Sequence, residues 1–123
     1  MRNPVAAGQY FYTSWGYDQT NIDFIIVKSI SPTGKTALCQ RTYAKNVLAN
    51  GIYGDRVAPE GYGVGPLFRL KVSSGHQGET TLKGSYPFII GRDSMRYGYF
   101  SPTTAAESHY QTDPVFGHNP LPI

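Results

Sequence analysis

Cysteine is almost absent: the 123 residues contain one thiol, Cys39. A lone thiol excludes an internal disulfide framework and a multi-cysteine zinc site, and it fits a reducing compartment. Its place in an apolar stretch marks it as a strand-packing residue. Charge is sparse as well, at 15% of residues, and the eleven lysines and arginines are spread along the chain instead of forming the dense tract of a nucleic-acid arm. No apolar run approaches the ~20 residues of a membrane-spanning helix, and "MRNPVAAGQY" lacks the apolar core of a secretory signal. The expectation is a soluble, cytoplasmic protein with no membrane partner. The three histidines, His76, His109 and His118, show no short metal-ligand spacing and fall in turn-like or tail segments, so each reads as solvated. No GxSxG elbow selects a nucleophile. No metal or cofactor is indicated, and catalysis is the least supported class of function.

What the chain has in quantity is tyrosine, glycine and proline, ten, fourteen and nine of them, a mixture that suits strands and turns. With 40% hydrophobic residues it can bury one core, which means one domain. From Gly8, "GQYFYTSW" alternates Tyr10, Tyr12 and Ser14 against Phe11, Thr13 and Trp15, the period of a strand. "IDFIIVKSIS" is apolar on both parities at its centre and should be the most buried strand. "SPTG" predicts a hairpin turn into "KTALCQRTY", where Ala37, Cys39 and Arg41 share one parity. In "PLFRLKVSS", Phe68, Leu70 and Val72 face inward and Arg69, Lys71 and Ser73 outward. Short strands follow in "TTLKGSYPF", interrupted by Gly84, and in "MRYGYF"; "TAAESHYQT" reads as a last strand or a short helical turn, with the strand favoured, and Pro87 points to an edge, bulge or corner.

These signals predict an all-β fold: a small, strongly bent antiparallel sheet or SH3-like barrel of about five to seven strands, with one long loop and an irregular C-terminal tail. Residues 1–7 form a lead, 8–111 a single β domain and 112–123 the tail. The loop is residues 44–65, which carry five glycines and no sustained period. Loops of that length are often functional.

Two surfaces could carry chemistry. The first is "SWGYDQTNID", which joins the first two strands. Asp18 and Asn21 are suited to accept hydrogen bonds from loop amides. Alternatively, Trp15, Tyr17, Asp18, Gln19 and Asn21 form a recognition patch, the aromatics supplying area and the polar groups direction. Asp18 with Asp23 would make a weak acid/base or metal pair. The second surface mixes cations and aromatics: Arg69, Lys71, Arg92, Arg96, Tyr97 and Tyr99 could share one sheet face and follow a phosphate backbone.

"YFYTSWGYDQTNIDF" resembles the opening of small hypothetical proteins encoded in phages, plasmids and bacterial genomes, which share a SWGYDQTNxDF-type motif. "LKGSYPF" and "ESHYQT" followed by "GH" resemble later landmarks of the same proteins. The resemblance implies a mobile-element origin and an accessory role inside the host cell, and supplies no catalytic residue. The leading expectation is therefore a module that binds a host or self protein through the Trp15–Asn21 loop, with support from the segment around Ile52 and Tyr53. Nucleic-acid binding by a basic and aromatic sheet face is the alternative, and a metal-dependent hydrolase comes last.

Overall fold

The computed structural model describes residues 5–15, 20–49, 55–75, 77–87 and 95–111. Its regular elements are strands: β1 (Tyr10–Trp15), β2 (Asn21–Ile30), β3 (Thr36–Ala49), β4 (Asp55–Ser74), β5 (Thr80–Pro87), β6 (Met95–Thr103) and β7 (His109–Gln111). Each of the first five pairs antiparallel with the next, and β6 returns to β1, so the sheet closes into a six-strand barrel. β7 lies outside that circuit, against Asp55–Val57 of β4. Closure satisfies the edges that an open sheet would present to solvent.

The alternation of each strand sorts its side chains. Phe11, Ile25, Val27, Cys39, Leu70 and Phe100 fill the barrel interior, with Val5 of the lead packed against them. Arg69 and Lys71 stay outside between Phe68, Leu70 and Val72, as the alternation predicts. The turn before β3 is closed by hydrogen bonds from Gly34 N–H to Ser31 O and from Ser31 N–H to Thr36 O, both 2.9 Å. Cys39 is fully buried, and burial pushes its thiol up to about 12, which makes it a packing residue.

Residues 44–65 are not the long loop that their glycines suggest. β3 continues to Ala49 and β4 begins at Asp55, so 44–49 and 55–65 are the far half of a hairpin. Its register shifts between Cys39 and Arg41, between Arg41 and Tyr43, and again between Asn46 and Leu48. Gly61, Gly63 and Gly65 sit at φ of +91°, +115° and +82°, a region that side-chain-bearing residues rarely adopt. Such bulged pairing destroys the period by which a strand is recognised.

This hairpin extension explains why β2 is buried on both faces. Outside the barrel, Ile22 and Phe24 pack with Val57, Tyr12 and Ala44 in a second apolar cluster. Tyr10 donates its hydroxyl to Gly61 O at 2.7 Å, and Lys28 Nζ donates to Tyr62 O at 2.7 Å, pinning the extension over the wall. β7 completes the cover. His109, expected to be solvated, is half-buried, with its ring 3.9 Å from the Tyr12 ring and its Nε2 2.8 Å from Thr103 Oγ1.

Candidate functional site

The opening motif builds the polar end of the barrel. β1 and β2 pair Thr13 with Asp23 and Trp15 with Asn21, so Trp15 and Asp23 are diagonal neighbours on the inward face. Trp15 Nε1 donates to Asp23 Oδ2 at 2.8 Å, and the Tyr86 hydroxyl donates to the same oxygen at 2.5 Å. Arg41 Nη2 donates to Asp23 Oδ1 at 3.1 Å, its Nε to Phe24 O at 3.3 Å and its Nη1 to Pro87 O at 2.9 Å. Asp23 and Arg41 are both inaccessible to solvent. A buried charge persists only when it is paired and hydrogen-bonded, and each partner here meets that condition. Burial pushes the Tyr86 phenol up, and the neighbouring Asp23 carboxylate pushes it further, so this hydroxyl remains a donor. With its carboxylate committed to three side chains, Asp23 holds the barrel end together and has no access to a substrate.

Of the five residues expected to form a recognition patch, Trp15 is half-buried in this network and Asn21 is buried. Among the described residues Asn21 Oδ1 has no hydrogen-bond partner, and the loop amides it was expected to cap, those of residues 16–19, lie outside them. Tyr17, Asp18 and Gln19 lie outside the described residues, as do Ile52, Tyr53, Arg92, His76 and His118.

The second surface is assembled more completely. Register places Lys71 of β4 opposite Lys83 of β5, and Lys83 opposite Tyr99 of β6, in one outward row. Arg69 stands two residues from Lys71, and Tyr97 two from Tyr99, on the same side of their strands. The two tyrosines are 54% and 69% exposed and meet edge to face with centroids 5.4 Å apart. The neighbouring outward positions, Ser73, Thr81, Ser85 and Ser101, are hydroxyls. No carboxylate stands among these positions. Like charges directly opposite across two strands disfavour the folded state, and Lys71 and Lys83 stand in that relation. Arg96 is not in the row; it turns toward the barrel end, its guanidinium 4.3 Å from the Trp15 ring centroid.

Lys83 is the member of this face that the sequence-level candidates omit, although its position one residue after an inward leucine marks it as outward. Concavities border the row, and two of them meet Tyr99. One of about 430 Å³ is lined by Lys83 and Tyr99; another of about 270 Å³ is lined by Tyr99, Tyr97, Arg96 and Trp15. No family model, curated protein or solved structure matches this chain.

Proposed function

We propose that the chain is a non-enzymatic accessory module of phage or mobile-element type whose β4–β5–β6 face takes a single-stranded nucleic acid. The observation that carries this reading is the Lys71–Lys83 pair set beside two exposed tyrosines. Cations follow the phosphates and rings stack on bases, which is how single strands are held without sequence readout.

The test is the salt dependence of affinity for a fluorescent oligonucleotide. Three phosphate contacts, from Arg69, Lys71 and Lys83, correspond to a log–log slope of about −2 for a single strand. Between about 50 and 200 mM salt, affinity should therefore fall about twentyfold. Lys71→Ser with Lys83→Ser should bring the slope to about −0.7. An affinity indifferent to salt, or a wild-type slope in the double variant, would overturn the proposal.

A further inference from the structure

The barrel has a parting between β1 and β6, whose ladder is the shortest of the six. Their ladder joins Tyr10, Tyr12 and Phe11 to Thr103, Ser101 and Pro102 and then stops, although β1 runs on to Trp15 and β6 begins at Met95. Backbone groups along a strand alternate in direction. Val27 N–H donates to Gln9 O at 2.9 Å, so odd-numbered residues leading into and along β1 turn toward β2 and even-numbered ones toward β6. Pro102 has no N–H, which places the bonded pairs of the β1–β6 ladder at Tyr10 with Thr103 and at Tyr12 with Ser101. Continued past the ladder, this alternation turns the N–H and C=O of Ser14, Tyr97 and Tyr99 into the parting.

That parting is the 270 Å³ cleft lined by Trp15 and Arg96. It combines an indole plane, a guanidinium stacked on that plane, and backbone donors and acceptors beyond the last ladder pair. Tyr99 lines both this cleft and the concavity beside Lys83, so the two adjoin the same ring. We infer that the β1–β6 cleft is a nucleobase pocket at the end of the Arg69–Lys71–Lys83 track. Flat π-surfaces with edge-directed donors and acceptors are what an unstacked base requires. The inference rests on the proposed nucleic-acid reading. An extended peptide could also use the backbone edge, but the adjoining cationic track favours the strand whose every unit carries a negative charge.

Trp15 is the sole tryptophan and lies in the cleft, so its emission reports occupancy. The full chain would be titrated with an oligothymidylate, an abasic strand of equal length, and an uncharged extended peptide. Both strands should bind with salt-dependent affinity, and only the one with bases should change Trp15 emission. Tyr99→Ala, which removes an exposed ring, should weaken the base-bearing strand by about tenfold or more, the scale of one lost stacking contact, and leave the abasic strand as before. If both strands bind and leave the emission equally unchanged, the pocket is overturned while the track stands. If neither binds, the track falls and the pocket with it. An emission change with the peptide alone would give the cleft to a peptide and overturn the inference.

Discussion

Replacing Asp23 by Asn tests whether the barrel end is held by charge or merely by shape. The side chain keeps its size, but the amide offers one acceptor oxygen where the carboxylate offers two. Arg41 Nη2 and the pair of donors from Trp15 and Tyr86 approach different oxygens. One approach must therefore meet an NH₂ group. If that group faces the indole, the conflict has no local cure, because an indole N–H cannot accept. If it faces Arg41, the guanidinium is left buried without its counter-ion. Removing one partner of a buried pair costs about 3–5 kcal/mol, a large part of the 5–15 kcal/mol typical of a whole domain. At m-values of about 1–3 kcal/mol/M, the urea midpoint should fall by about 1 M or more with little change in slope. Arg41→Met should be destabilising too. The double variant should be less unstable than the sum of the singles, by roughly 0.5–3 kcal/mol, the range found for residues in contact. An Asp23→Asn midpoint equal to wild type, or strict additivity of the two substitutions, would refute the argument.

The strands were largely legible in the sequence because their alternation is local. "PLFRLKVSS" sorts correctly by parity, and the two apolar parities of β2 foretell a strand covered on both faces. The covering element was hidden: bulges at Gly61, Gly63 and Gly65 erase the period of β4 where it folds over β2. The site was less legible, for a different reason. Trp15 and Asp23 read as loop chemistry until the register of β1 on β2 turns both inward. Their partners Arg41 and Tyr86 lie 18 and 63 residues from Asp23, and no local pattern links them. Arg41 did carry a signal, since it shares the parity of the buried Cys39. An arginine on the inward parity of a strand calls for a buried acid, and Asp23, on the parity of Ile25 and Val27, was the acid to name.

Two further outcomes follow from the packing. Gly98 lies opposite Gly84, and a Cβ there would come within 2.9 Å of the Phe100 and Tyr86 rings, so Gly98→Ala should destabilise by about 1–3 kcal/mol, the usual cost of overpacking; an unchanged thermal midpoint would show that the rings have room to move. The second concerns pH and the docking of β7. The His109 imidazole packs on Tyr12 of β1 and Phe24 of β2 and meets Thr103 of β6. Burial lowers its pKa; Glu107 opposes that shift and Arg56, fixed on Ser108 by two hydrogen bonds, adds to it. A lowered pKa in the folded state means that the unfolded chain takes up the proton first as pH falls. The stabilisation from a neutral His109 is thus complete above the ordinary histidine value of about 6.5, declines as pH drops below it, and levels off beneath the folded value. Hydrogen exchange of the β7 amides, corrected for the intrinsic pH dependence of exchange, should show protection falling between about pH 7 and 5. His109→Phe keeps a ring against Tyr12 and cannot titrate, so its corrected profile should be flat over that window. If the wild-type and His109→Phe profiles superimpose, the imidazole does not couple protonation to the docking of β7.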